Sequence, residues 1–93
     1  MTHSPWRVYV LRCADGTLYT GATNDIERRL RAHAVGRASR YTRSRLPVKL
    51  VYTERAAGRG SALRRERVIK GLSRAKKLEL IRPQLDSPSL PRG

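Results

Sequence analysis

Two phenols, one guanidinium, one imidazole and one carboxylate recur along this chain at separations a small fold can bring together: Tyr9, Tyr19, Arg29, His33 and Glu66. Metal-assisted hydrolysis of a phosphodiester needs these types. A carboxylate holds a divalent cation that polarises the phosphate, a guanidinium stabilises the charge that develops there, and a phenol or imidazole takes a proton from the attacking water. The phenols lie in two short phrases, Val8-Tyr9-Val10 and Tyr19-Thr20-Gly21, one hairpin apart. The pattern reads as a nuclease site, provided that local structure points the five side chains at one place.

Charge supports that reading. The 93 residues carry 21 Lys+Arg against 7 Asp+Glu, a formal net charge of +14, which favours polyanionic partners and makes nucleic acid the default one. Arg-rich composition also arises from ordinary solvated faces, but here the charge clusters. No carboxylate falls between Glu27 and Glu54, whereas Arg28, Arg29, Arg31, Arg37, Arg40, Arg43, Arg45 and Lys49 do. Of these, Arg28, Arg37, Arg40 and Arg43 are expected to grip backbone phosphates. No apolar run approaches the ~20 residues of a membrane span, and the N-terminus lacks the apolar core of a signal peptide, so a cytoplasmic protein with no membrane partner is expected. Cys13 is the single cysteine, which rules out an intrachain disulfide and a cysteine-based zinc site.

The elements that must position the site can be read in order. Trp6 to Cys13 and Thr17 to Ala22 are rich in β-branched and aromatic residues and form a hairpin around Asp15-Gly16. A two-residue turn would put Tyr9 and Tyr19 on opposite faces. A three-residue loop, Ala14-Asp15-Gly16 with Gly16 left-handed, pairs Leu11 with Tyr19 and Tyr9 with Gly21 and keeps both phenols on one face; this loop is the prediction. Gly21 opposite Tyr9 would then leave an open patch over the ring for a phosphate, or serve simply as a structural glycine at a strand end, which is equally common.

Asn24 or Asp25 caps a helix that runs to about Val35 and ends at Gly36. Ile26 and Leu30 form its buried stripe, with Arg29 and His33 bordering the core. A cation at that border needs a partner or a ligand, while a histidine there is often a satisfied neutral group. A helical turn near Ser39 to Thr42 is followed by a third strand, Val48 to Thr53. Ser61 caps a helix from Ala62 to about Leu72, and Ser73 caps another from Arg74 to Ile81. Residues 1–82 make a single domain and 83–93, rich in proline, a flexible C-terminal tail.

Glu66 borders the apolar arc of its helix and needs a partner. Two readings stand: an ion pair with Arg65, Lys70 or Arg29, or a metal ligand, since Mg²⁺ takes few protein carboxylates and fills its other positions with water and phosphate oxygens.

These residues and spacings resemble the GIY-YIG endonuclease superfamily, in its small stand-alone bacterial branch and in the N-terminal nuclease module of the excinuclease C subunit. Arg7-Val8-Tyr9 and Tyr19-Thr20-Gly21 stand for the two family phrases; Glu27-Arg28-Arg29-Leu30 with His33, then Arg65-Glu66 ahead of Ile69-Lys70-Gly71, follow at the family's spacing. The resemblance implies an α+β fold, a three-stranded antiparallel sheet flanked by helices. It implies a metal-dependent endonuclease acting on DNA, structure-selective in repair or recombination, with Mg²⁺ or Mn²⁺ on Glu66 and with Tyr9, Tyr19, Arg29 and His33 as catalytic residues. Where several relatives have a lysine after the second phrase, this chain reads Ala22-Thr23-Asn24, and Arg28 is the residue available to substitute. A free phenol, with a pKa near ~10, is a poor base at neutral pH, so Tyr9, the first choice, needs its pKa lowered by Arg29 or by metal-bound water. RNA is the alternative nucleic acid, a protein partner could supply targeting, and the competing function is a catalytically silent DNA- or RNA-binding module.

Overall fold

A computed structural model describes residues 5–86. Three strands, β1 (Trp6–Arg12), β2 (Leu18–Thr23) and β3 (Lys49–Ala56), form an antiparallel sheet in the order β2-β1-β3. Helices α1 (Ile26–Ala34), α2 (Arg40–Arg43), α3 (Arg59–Lys70) and α4 (Arg74–Asp86) complete the expected α+β fold. β1 is the central strand, and Val8, Tyr9, Val10 and Leu11 are all buried, so both of its faces are covered. Alternation sends Val8 and Val10 to one side, where they pack with Ala62 and Ile69 of α3 and Ile81 of α4. Tyr9 and Leu11 face the other way.

The three-residue loop forms as predicted. Gly16 adopts φ +86°, its N–H donates to the Cys13 carbonyl, and the Cys13 N–H donates to Thr17 O at 2.8 Å. The register is therefore Tyr9 with Gly21 and Leu11 with Tyr19, and both phenols share a face. On the other side of β1 the register shifts between Val10 and Leu11, where Val51 is the extra residue of a bulge in β3; Val51 and Tyr52 are both buried there.

The Asp25 carboxylate accepts from Arg28 N at 3.1 Å and caps α1. The helix ends in a Schellman arrangement: Gly36, at φ +78°, donates to His33 O, and the Arg37 N–H donates to Ala32 O. Ser39 caps α2 by accepting from the N–H groups of Tyr41 and Thr42.

Several boundaries differ from expectation. β3 starts one residue later, at Lys49, and runs three residues past Thr53, which brings Glu54 into the sheet. α3 begins at Arg59 rather than Ala62, after Gly58, and ends at Lys70; Ser61 lies inside it and is not its cap. Glycines at 58 and 60 read as breakers, but Gly58 is the N-cap, its carbonyl accepts from the Ala62 N–H and Ala62 is fully buried, so packing carries the helix through Gly60. α4 starts after Ser73 as expected, with the Ser73 hydroxyl accepting from Lys76 N.

That helix does not stop at Ile81. It continues through Pro83 to Asp86, so residues 83–86 are not tail. The side chain of Gln84 explains the extension: its Nε2 donates to Thr53 O at 2.6 Å and its Oε1 accepts from Thr53 N at 3.1 Å, pairing with the backbone of edge strand β3. The rest of the expected tail, 87–93, lies outside the described residues. Among the described residues no helix is long and apolar enough to cross a membrane.

Candidate active site

Tyr9, Tyr19 and His33 meet in one cluster. Register places both phenols on the face of the sheet that α1 covers, and α1 delivers His33. The ring centroids of Tyr9 and Tyr19 are 6.5 Å apart, those of Tyr9 and His33 5.7 Å, and those of Tyr19 and His33 5.3 Å. The Tyr9 hydroxyl lies 2.9 Å from His33 Nε2, and His33 Nδ1 lies 2.9 Å from Thr42 Oγ1. His33 and Thr42 are completely buried and Tyr9 is 2% exposed. Expectation placed His33 at the edge of a stripe led by Ile26 and Leu30; instead those two are half-buried and His33 is the deepest residue of α1. Its two hydrogen-bonding partners, both distant in sequence, make that burial tolerable.

Gly21 fits this cluster in a way the sequence reading missed. A Cβ at position 21 would overlap the Tyr9 hydroxyl and ring. The space is filled by the phenol itself and is not an open patch for phosphate.

Charge surrounds the rings. Burial first, then the neighbouring Tyr19, push the Tyr9 phenol above the ordinary tyrosine range; Arg29 pulls it down without outweighing them, and the Glu66 carboxylate pushes it further up. The expected lowering of Tyr9 by Arg29 is thus overturned by desolvation. Burial also holds the His33 imidazole below its ordinary range, with the Arg29 charge acting in the same direction. Arg29 and Glu66 therefore both lie within electrostatic reach of Tyr9.

Glu66 projects from α3 with its side chain 18% exposed, and Lys70 Nζ sits 3.0 Å from its Oε2. Of the three ion-pair partners weighed, Lys70 is the one in contact. Arg65 turns away to Glu54, donating from Nε at 2.6 Å and from its terminal nitrogen at 3.2 Å, while the Tyr52 hydroxyl donates to the same carboxylate. Burial pushes the Glu54 carboxyl up, but the bonds from Arg65 and Tyr52 outweigh it and hold it below the usual range. This clamp fastens α3, the helix that carries Glu66, to β3.

No group of three or more His, Cys, Asp or Glu assembles among the described residues. A lone carboxylate suits Mg²⁺, which keeps several waters and takes substrate phosphate oxygens; Lys70 would have to release Glu66 for the ion to bind. Glu66 thus fits a weak, substrate-assisted site.

Two cavities flank the cluster. One, of about 370 Å³, is lined by Thr23, Asn24, Asp25, Arg28, Arg29 and Ala32, so Arg28 shares a recess with Arg29. The other, of about 270 Å³, is lined by Leu18, Tyr19, Thr20, Tyr41, Lys70 and Lys77. Tyr41 stacks on Tyr19 with centroids 6.0 Å apart, and the Arg45 guanidinium lies 3.8 Å over the Tyr41 ring. Arg28, Arg37, Arg40 and Arg43 are exposed, and none is in an ion pair with another described residue. Sequence reasoning missed Tyr41 and Thr42. A Ser39 cap that sets Thr42 in the first turn of α2 was the available signal for the second; nothing in the pattern pointed to the first.

The comparisons agree with the fold. The family described as "GIY-YIG catalytic domain" matches residues 5–79. A UPF0213 protein of Natronomonas pharaonis is 55% identical over 74 residues, covering 80% of this chain and 87% of that protein. A UPF0213 protein of Streptococcus agalactiae is 48% identical over 82 residues, covering 88% and 93%. Among solved structures, a UPF0213 protein from Bacillus halodurans is similar at a TM-score of 0.54 and 38% identity, covering 98% of this chain and all of that one. A protein from E. faecalis is similar at 0.58 and 31% identity, covering 100% and 97%.

Proposed function

The chain belongs to the GIY-YIG nuclease family, among the UPF0213 proteins, and from that premise we propose that it is a metal-dependent endonuclease hydrolysing phosphodiester bonds in DNA. The observation that carries the proposal is the Tyr9 hydroxyl 2.9 Å from His33 Nε2, with Tyr19 packed against both rings and the charges of Arg29 and Glu66 acting on the phenol.

In this reading Tyr9 is not a preformed phenolate, because its raised pKa forbids one at neutral pH. The Tyr9 hydroxyl accepts a proton from the attacking water as it passes its own to His33 Nε2. The water oxygen bonds to phosphorus, the 3′ oxygen departs and takes a proton from solvent, and His33 resets by returning its Nε2 proton to Tyr9 as the proton that Tyr9 took from the water leaves to solvent. The depressed pKa of His33 keeps the imidazole neutral and able to accept at physiological pH. Tyr9 is so deeply buried that the water reaches its hydroxyl only when bound substrate parts the layer over it. Tyr19, half-buried, meets the phosphate first, and Arg29 stabilises the charge on the phosphate oxygens. Glu66 would hold Mg²⁺ or Mn²⁺, which when bound polarises the phosphate and the leaving oxygen.

Arg28, Arg37, Arg40 and Arg43 grip phosphates without reading bases, so substrate shape decides selection, as in repair or recombination. A catalytically silent nucleic-acid-binding module is the second reading, favoured by the contact of Lys70 with Glu66. The two separate in an assay of plasmid and branched-DNA nicking with and without Mg²⁺ or Mn²⁺, comparing the parent with Glu66→Ala. Metal-dependent nicking lost in the variant supports the endonuclease; binding with no nicking in either protein supports the silent module.

A further inference from the structure

Thr42 lies outside the chemistry just described, yet it is completely buried and makes the second hydrogen bond to His33. We propose that Thr42 is a positioning residue: it fixes His33 in the tautomer with the proton on Nδ1, which leaves Nε2 bare and ready for the proton of Tyr9. The inference rests on the Tyr9–His33 transfer in the proposed function.

A neutral imidazole carries one proton, and which nitrogen holds it follows from the partner that the other must satisfy. A threonine hydroxyl has one hydrogen to give. In α2 that hydrogen has a local acceptor, because Thr42 Oγ1 lies 3.4 Å from Ser39 O in the back-bonding geometry common to threonine in a helical turn. With its hydrogen directed there, Oγ1 offers only lone pairs to His33, and the Nδ1–H donates to it. Nε2 must then accept, and among the described residues the donor bonded to it is the Tyr9 hydroxyl.

The chain of bonds thus has one direction, from Tyr9 through His33 to Thr42 and Ser39. Its reverse would place a proton on Nε2, pointing at the phenol oxygen, and His33 would have no room for the proton of Tyr9. Ser39 supports the same arrangement twice, through its carbonyl and by capping the helical turn that holds Thr42 in place. The short basic segment between α1 and β3 therefore orients the proton acceptor, besides presenting Arg40 and Arg43 to solvent.

The test is ¹⁵N NMR of the His33 ring at neutral pH, run beside plasmid nicking, for the parent, Thr42→Val and Thr42→Ser. The parent is expected to show Nδ1–H, and Thr42→Ser to keep it with nicking near the parent rate. Thr42→Val keeps the shape, removes the acceptor, and should move the proton to Nε2 while nicking falls roughly tenfold to a hundredfold, part of the rate that positioned proton transfer supplies. A parent with Nε2–H, or a Thr42→Val ring that stays Nδ1–H, overturns the proposal. A tautomer that moves as expected in a protein without nicking supports the placement of the proton by Thr42 and overturns the endonuclease reading instead.

Discussion

Replacing Gly21 with alanine tests whether Tyr9 is held where the site needs it. An added Cβ overlaps the Tyr9 hydroxyl and ring, and that ring cannot swing aside freely because it is buried and bonded to His33. Overpacking of this kind costs about 1–3 kcal/mol, and losing the Tyr9–His33 bond about 1 more. Removing the flexibility of glycine from the unfolded chain returns about 0.4–1 kcal/mol. The net destabilisation is about 1–3.5 kcal/mol, which in a domain of this size lowers Tm by roughly 5–25 °C. Thermal unfolding followed by circular dichroism measures it. In a Tyr9→Leu background the same substitution has less to collide with and should cost at least about 1 kcal/mol less, a coupling that a double-mutant cycle reads directly. A Gly21→Ala protein that melts with the parent, or a cycle with no coupling, would refute the packing argument.

Other consequences are open to measurement. The folded state resists protonating His33 whereas the unfolded chain binds a proton below about pH 6.5, so stability should fall as pH drops from about 7 toward 5, and His33→Asn should flatten Tm across that window. Gln84→Ala strips two hydrogen bonds from the edge of β3 and should cost about 1–3 kcal/mol in urea unfolding, against no change if the end of α4 were dispensable. Replacing Arg40 or Arg43 by alanine should weaken DNA binding about equally across sequences and make the slope of log K against log salt shallower by roughly 0.9 each for duplex DNA.

How far the sequence could be read depended on how local each determinant is. The hairpin register was legible because a loop with glycine in the left-handed position admits few pairings, and one register alone put both phenols together. The caps at Asp25, one of two adjacent candidates, and at Ser73 are contained within a few residues and were equally visible. Burial of His33 was not, since it depends on Tyr9 and Thr42 arriving from other elements to satisfy both ring nitrogens. The direction of the Tyr9 shift failed for a related reason: the spacing brought Arg29 near but could not reveal how thoroughly the ring would be desolvated. The role of Glu54 is not legible because the strand pattern ends at Thr53, and that of Gln84 because Pro83 reads as a terminator while the bonds that hold the end of the helix go to the backbone of a distant strand.

The single-turnover rate of DNA cleavage with Mg²⁺ present, compared between the parent and Tyr9→Phe, probes the central claim most directly. Loss of the hydroxyl should slow cleavage by roughly a hundredfold or more while DNA affinity stays near that of the parent, because the phenol oxygen moves a proton and does not hold the substrate. Equal rates in the two proteins would contradict the account.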